Sequence, residues 1–195
     1  MSAVTSIIIA GVGGQGTIVA GKLLGDAALR KGLDVKVSEV HGMAQRGGSV
    51  VTYVRYGEKV YSPMTEAGGA DFLIAFEELE AARWLWLLKK GGVAVIDSHR
   101  IAPASVTAGT SEYPTDISER LSEFDIELYR VDAFALAKEA GFIKAANVAL
   151  MGAFAAVSDL GYETCAKSIE SVLPGRFLAE NIKAFKSGYD SARRI

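Results

Sequence analysis

The chain has 195 residues, 50% of them apolar and 23% charged, and its 21 basic and 23 acidic side chains leave a net charge of −2. This composition fits one globular domain over residues 1–195 and argues against nucleic acid or an anionic membrane as the main partner. The first cation is Lys22, and five glycines interrupt the stretch before it. We therefore expect neither a signal peptide nor a membrane-spanning helix, and we predict a cytoplasmic protein.

The single cysteine, Cys165, limits which cofactors the chain can hold by itself. One thiol excludes an internal disulfide, a cysteine-based zinc site and a self-contained iron–sulfur cluster. Cys165 lies in a helical pattern with no histidine nearby in sequence, so we predict a buried apolar side chain. No acidic spacing suggests metal ligands either, and we predict no metal site in this chain.

The hydrophobic pattern predicts alternating strands and helices in the first half of the chain. Residues 6–10 form an apolar run, a glycine-rich turn follows, and residues 17–31 have the period of an amphipathic helix. The same criteria predict strands at 34–40, 49–56, 59–61, 71–76 and 93–97, and a helix at 77–90. Two tryptophans in that helix, Trp84 and Trp86, would lie on opposite sides, and we treat core and interface as equal possibilities for this segment.

The second half is less regular at first and then helical. Residues 98–122 show little pattern, and 124–131 alternate as a strand. From residue 132 the pattern is helical, and a stripe of apolar residues near the end indicates core packing: Leu178, Ile182, Phe185, Tyr189 and Ala192. Together these elements predict an α/β fold, a three-layer Rossmann-like domain with a mostly parallel (mixed) sheet and a helical C-terminal third.

The first candidate binding element is the glycine-rich turn between the first strand and the first helix. Glycines permit a tight turn with close backbone approach, and the helix start offers free N–H groups to an anion. The alternative is a turn that binds nothing. The candidate ligand-contacting residues here are Gly11, Gly13, Gly14, Gln15, Gly16 and Thr17.

The second candidate element is the polar loop between the next two strands, where Arg46, Gly47 and Gly48 could present a guanidinium and backbone N–H groups to a carboxylate or phosphate. An equally good interpretation is a solvated arginine paired with a local acid. Only nine residues separate Glu39 from Ser49, whereas a parallel crossover needs a dozen or more. The third strand therefore does not follow the dinucleotide-binding pattern, although the spacing of Glu39 suits a ribose contact.

Taken together, the two loops resemble a known family. The run from Gly11 to Gly16, followed by Ser38 to Val50, is similar to the gamma-type subunit of 2-oxoacid:ferredoxin oxidoreductases, and most like the small (beta) subunit of the indolepyruvate branch. Asn147, Gly152 and the segment from residue 180 to Gly188 also resemble the family's later pattern. The resemblance extends over nearly the whole chain.

The resemblance implies a subunit that is inactive alone. Family complexes oxidatively decarboxylate a 2-oxoacid to an acyl-CoA and pass electrons to ferredoxin, using thiamine diphosphate, Mg²⁺ and [4Fe–4S] clusters. Those cofactors are expected in a large partner subunit. This chain would bind no cofactor tightly, contact CoA and the 2-oxoacid through its two loops, and contribute no catalytic residue. When isolated, it is expected to form a homodimer through the docking face.

Two other functions remain open at this point. One is a free-standing NAD(P)- or flavin-dependent oxidoreductase that uses the glycine loop and Glu39. The other is a regulatory nucleotide-binding module without chemistry. The triplet Asp97, Ser98 and His99 has the composition of a hydrolase triad, but neighbours leaving a strand point in different directions, so we expect no triad.

Overall fold

The computed structural model describes residues 4–42 and 47–193. It contains a six-stranded mixed sheet in the order β2-β3-β1-β4-β5-β6. The pairs β1–β4, β4–β5 and β5–β6 are parallel, and β2–β3 and β3–β1 are antiparallel. The strands are β1 (Thr5–Val12), β2 (Asp34–His41), β3 (Ser49–Gly57), β4 (Ala70–Ala75), β5 (Leu88–Asp97) and β6 (Ile126–Val131).

Eight α-helices surround this sheet in the described part of the chain, and short 3₁₀ turns at Leu85–Leu87 and Ile143–Ala145 accompany them. The α/β class and the helical C-terminal third are confirmed. The helices are α1 (Thr17–Arg30), α2 (Glu78–Trp84), α3 (Ala104–Thr107), α4 (Ile117–Ser122), α5 (Ala133–Ala140), α6 (Ala146–Val157), α7 (Gly161–Val172) and α8 (Leu178–Ser191).

The sheet separates two apolar layers because successive side chains of a strand point to opposite faces. In β1, Ile7 and Ile9 pack on the larger core with α1 and the C-terminal helices, whereas Ile8 and Ala10 pack on the smaller core with α2 and α4. The chain thus leaves β1 toward one face and leaves the adjacent parallel strand β4 toward the other. In open α/β sheets, ligands bind in the crevice at such a point.

The antiparallel β2–β3 pair confirms the prediction drawn from the short intervening loop. Its register pairs Asp34 with Gly57 and His41 with Val50, so the two strands form a hairpin and no crossover helix intervenes. β3 then lies between β2 and β1. This arrangement brings the loop after β2 to the same edge of the sheet as the glycine turn after β1.

Two predicted elements are wrong. The helix predicted over 77–90 ends at Trp84, and the residues from Leu88 onward instead join β5, where Leu88 pairs with Ala70 before a shift in register. Pairing with β4 overrides the local helical pattern there. Residues 59–61 form no strand, because the N–H of Val60 donates to the Asp34 carboxylate instead of to a ladder.

The two tryptophans do not lie on opposite sides of a helix, because the helix ends between them. Their rings stack with centroids 6.4 Å apart, and Trp86 stays 57% exposed. The C-terminal apolar stripe packs on the larger core, with Phe185 fully buried, as predicted.

Helices α6 and α8 approach each other closely through two glycines. A methyl group on Gly188 would overlap the carbonyl of Ala149, and one on Gly152 would overlap the carbonyl of Phe185. In both cases the obstacle is backbone, which cannot rotate away as a side chain can. The packing of the C-terminal helices on the larger core therefore depends on these two positions.

We expect Gly188→Ala to lower the free energy of unfolding by about 2–3 kcal/mol, because overpacking at a backbone contact forces the helices apart. Urea unfolding measures the change. Gly175→Ala is the matched control, since a methyl group there meets nothing within 4 Å and should change stability by less than about 0.5 kcal/mol. Equal stability of the two variants would contradict the proposed contact.

Candidate functional site

The two predicted loops are hydrogen-bonded to each other at the carboxyl edge of the sheet. The N–H of Gly13 donates to the carbonyl of Gly48 at 2.8 Å, and the N–H of Gly47 donates to the carbonyl of Gly13 at 3.2 Å. Arg46, the remaining member of the second loop's candidate set, lies outside the described residues. The structure therefore brings the backbone of the two candidate elements together.

Gln15 has a structural position in this arrangement. Its side-chain oxygen accepts the N–H of Val12 at 2.7 Å, and its amide nitrogen donates to the carbonyl of Phe76 at 2.6 Å. The side chain thus joins the end of β1 to the residue that follows β4, across the point where the chain changes faces. Gly11 is buried directly beneath it, where a Cβ would lie 3.1 Å from the Gln15 oxygen.

The top of the glycine loop carries the groups that remain available to a ligand. The backbone N–H groups of Gly14, Gly16 and Thr17 have no hydrogen-bond partner among the described residues. They lie at the start of α1, where the helix dipole favours negative charge. Gly14, Gly16 and Thr17 are thus the members of the predicted set whose geometry suits contact with an anion.

Gly16 has a second constraint that Gly14 lacks. Both have positive φ angles, +91° and +108°, which L-residues rarely adopt. A methyl group on Gly16 would also overlap the side-chain amide of Asn147 at the start of α6, whereas one on Gly14 meets nothing within 4 Å. Asn147 therefore packs directly on the glycine loop.

We expect Gly16→Ala to destabilise the protein more than Gly14→Ala, by about 0.5–1 kcal/mol, because both add backbone strain but only the first forces the Asn147 side chain to move. Thermal unfolding of both variants measures the difference. If Gly14→Ala is equally destabilised, the contact with Asn147 contributes nothing.

Two clefts flank the glycine loop. The first, of about 380 Å³, lies toward β5 and α6 and includes Asp97, His99, Phe134, Lys144 and Asn147 in its lining. The second, of about 390 Å³, lies toward β2 and has Thr17, Ile18, Val19, Glu39 and His41 among its lining residues. Gly14 and Gly16 line both clefts, so the loop forms the ridge between them.

Asp97 is the residue of the first cleft whose importance the sequence interpretation missed. It ends β5 and is only 4% exposed, and one carboxylate oxygen accepts the N–H groups of His99 and Ala133 at 3.2 Å each. Burial raises the pKa of Asp97 to about 6, against the lowering effect of these two bonds. A polar residue at the carboxyl end of a buried parallel strand is the signal that could have identified it.

The side chains of Asp97 and His99 form no hydrogen bond with each other in the described structure. Asp97 binds the backbone N–H of His99, while the imidazole stacks on the ring of Phe134 with centroids 5.1 Å apart and an angle of 9°. The imidazole is therefore oriented by the aromatic contact and not by the carboxylate.

Cys165 is buried, as predicted, and burial raises the pKa of its thiol to about 12, which keeps it protonated.

A separate group of buried carboxylates fixes the elements around the site. Glu77 accepts the N–H of Glu80 at 3.0 Å, the N–H of Ile101 at 3.2 Å and the hydroxyl of Tyr113. Glu80 accepts the hydroxyl of Ser49, the first residue of β3. These carboxylates attach the start of β3 and the loop at Ile101 to α2, so they position these segments.

Glu39 is not placed as a dinucleotide-binding fold would place it. In that fold the acidic residue ends the strand next to β1, whereas here β3 separates β2 from β1. Glu39 lines the second cleft from the outer strand of the sheet.

No group of three or more His, Cys, Asp or Glu side chains within 4–42 and 47–193 is arranged to hold a metal ion. Over the same residues, no helix is both long and apolar enough to cross a bilayer.

We expect Asp97→Asn to stabilise the protein at neutral pH by about 1–3 kcal/mol. With a folded pKa near 6 and an ordinary value of 3.8, the native state binds more protons than the unfolded state between these limits. The stability of the natural chain thus falls as pH rises from about 4 to 6. His99 and Asp132 are the titratable groups that act on Asp97, and Lys144 lines the same cleft. An asparagine oxygen can still accept the two backbone bonds without this cost.

Unfolding free energies measured from pH 4 to 8 test this expectation. The advantage of Asp97→Asn should grow up to pH 6 and then level off, while the same change at the exposed Asp125 should give no such trend. A constant difference across the range would contradict a raised pKa at Asp97.

The fold and the site together define a Rossmann-like α/β domain with its binding groups at a crevice between two parallel strands. Residues 6–191 match the model of the pyruvate ferredoxin/flavodoxin oxidoreductase family, and the chain belongs to that family. The family resemblance inferred from the two loops is thereby confirmed.

The chain is similar to subunits of particular enzymes within this family. The chain is 42% identical to indolepyruvate oxidoreductase subunit IorB of Thermococcus kodakarensis, over 97% of this chain and 96% of the relative. The gamma subunit of a keto/oxoacid ferredoxin oxidoreductase from Geobacter sulfurreducens is similar in structure, with a TM-score of 0.72, 25% identity and coverage of 96% and 97%.

A larger protein contains the same fold. The 2-oxoglutarate:ferredoxin oxidoreductase of Magnetococcus marinus, solved with 2-oxoglutarate, coenzyme A and succinyl-CoA bound, aligns with a TM-score of 0.73 at 22% identity. The alignment covers 96% of this chain but 30% of that one. The fold of this chain is thus found both as a separate subunit and as part of a longer chain.

Proposed function

We propose that this chain is the small subunit of a 2-oxoacid:ferredoxin oxidoreductase that acts on indolepyruvate or a related aryl-pyruvate. The complex would oxidatively decarboxylate the 2-oxoacid, transfer the acyl group to CoA and reduce ferredoxin in the cytoplasm. The 42% identity to an indolepyruvate oxidoreductase subunit over nearly the full chain supports this choice of substrate.

The observation that carries the proposal is the pairing of the two glycine-containing loops. The bonds between Gly13, Gly47 and Gly48 hold a ridge of free N–H groups between two open clefts. Such a ridge can anchor phosphate or carboxylate groups and close a cavity against water, but it supplies no nucleophile. The role of this chain would be to position CoA and the 2-oxoacid.

The cysteine content supports a partner subunit as the site of the iron–sulfur clusters. An iron–sulfur cluster needs several thiolates, and the only cysteine, Cys165, is buried and protonated. The [4Fe–4S] clusters would therefore reside on a large partner subunit. We assign thiamine diphosphate with Mg²⁺ and the docking of ferredoxin to the same partner, as the family resemblance implies. The free N–H groups of Gly14, Gly16 and Thr17 fit the phosphates of CoA, and Arg46 adds a guanidinium to the proposed set. Gln15 holds the loop in place through its bonds to Val12 and Phe76.

Co-expression of this chain with its large partner tests the proposal. We expect indolepyruvate- and CoA-dependent reduction of ferredoxin or viologen only when both subunits are present. Arg46→Ala should raise the KM for CoA or for indolepyruvate by about tenfold with a smaller change in kcat, because it removes a binding group and no reacting group.

The matched control is Arg176→Ala, since Arg176 contacts the ring of Phe177 on the helical side and no cleft. Full activity of the large subunit alone would overturn the proposal and favour a regulatory nucleotide-binding module. Saturable binding of NADH by the isolated chain, lost in Glu39→Ala, would instead favour a free-standing oxidoreductase. We propose that the isolated chain is a homodimer, and analytical ultracentrifugation measures its oligomeric state.

A further inference from the structure

The first cleft contains the Asp97 carboxylate, and only one of its two oxygens accepts hydrogen bonds from the protein. One oxygen of the Asp97 carboxylate accepts two backbone N–H groups, and the other has no hydrogen-bond partner among the residues that the structure describes. The residue is 4% exposed and lines the cleft. That second oxygen is not among the buried atoms that lack a partner, so it is accessible from the cleft and can accept a hydrogen bond from a ligand.

Flat and apolar surfaces lie around this acceptor. The His99 and Phe134 rings are nearly parallel, 9° apart, and form a wall. Phe134 is 38% exposed and Ile143 is 50% exposed, and both line the cleft with Ile101. This arrangement favours a planar ligand ring, which can stack on the aromatic side chains and cover the aliphatic ones.

A cation completes the cleft. Lys144 lines it and forms no ion pair or hydrogen bond within the described part of the chain. Asn147 and the glycine ridge bound the same side. An acceptor, a flat apolar wall and an unpaired cation are thus present in one cleft of about 380 Å³, a size that suits a nucleoside or a bicyclic ring.

We infer that this cleft binds a planar aromatic ring that carries an N–H donor and is attached to an anionic group, with the ring against His99 and Phe134, its N–H donating to Asp97 and its anion near Lys144. The inference rests on the proposed function for the source of the ring. The reaction offers two sources: the adenine of CoA, whose exocyclic amine is the donor, and the indole of the 2-oxoacid, whose ring nitrogen is the donor.

Matched ligand pairs test the donor directly in titration calorimetry with the full chain and with the co-expressed complex. Adenosine 3′,5′-bisphosphate is compared with the bisphosphate of purine riboside, which lacks the amine. Indole-3-acetate is compared with 1-methylindole-3-acetate, which lacks the N–H. We expect the N–H member of one pair to bind about tenfold more tightly than its partner, and the pair that shows this identifies the source.

Three variants locate the effect. Asp97→Asn should abolish the preference for the N–H member, because an amide N–H then faces the ligand donor. Lys144→Gln should weaken both members of the pair by a similar factor and leave their ratio unchanged. Lys167→Gln, an exposed lysine on α7 remote from the cleft, should change neither.

Equal binding within both pairs, or a preference that survives in Asp97→Asn, would overturn the inference. The ligand pairs test it in the unmodified protein even if a variant fails to fold. This outcome is separable from failure of the proposed function: a complex that turns over only with this chain, yet shows no N–H preference, contradicts the cleft alone. Ring binding by a chain that the large subunit does not need for turnover contradicts the proposed function alone.

Discussion

The pairing of the loop after β2 with the loop after β1 is the constraint on which the rest of the site depends. It exists because β3 runs antiparallel beside β1, so that the loop containing Gly47 and Gly48 reaches the carboxyl edge next to Gly13. A parallel crossover in the same position would have carried the chain to the opposite edge of the sheet before β3 began. The second cleft, which Glu39, His41 and Val50 line, and the hydrogen bonds that hold Gly13 follow from this strand direction.

The polar groups at this edge divide into two kinds according to how completely they are satisfied. Glu77 receives three donors from three separate segments, and Gln15 uses both ends of its amide on backbone groups. These side chains hold loops and strand ends in register and have little capacity left for a ligand. Asp97, with one oxygen engaged, is different, and the cost of its burial is evident in its raised pKa.

The sequence was sufficient for the topology near β1 because chain length alone decided it. Nine residues between Glu39 and Ser49 cannot form a parallel crossover, whatever their identity. It was insufficient for residues 77–90, where the apolar pattern suits a helix but Leu88 pairs with Ala70 of a distant strand. It was also insufficient for Asp97, because only the assembled sheet shows which polar strand end is buried beside the glycine loop. The position of Gln15 in the glycine motif predicted a ligand contact, but its side chain forms hydrogen bonds to the backbone of Val12 and Phe76 instead.

The distribution of polar groups at the sheet edge supports the positioning role that we propose for this chain. The strand that would bring an acidic residue to a ribose is displaced outward by β3, and the one thiol is buried with a raised pKa. The described edge also carries the backbone N–H groups of the glycine loop, the Asp97 carboxylate and Lys144, which are groups suited to ligand recognition. Such groups increase a reaction rate only by holding substrates against reactive groups supplied elsewhere. The positioning role that we propose for this chain accordingly assigns the reacting groups to a partner subunit.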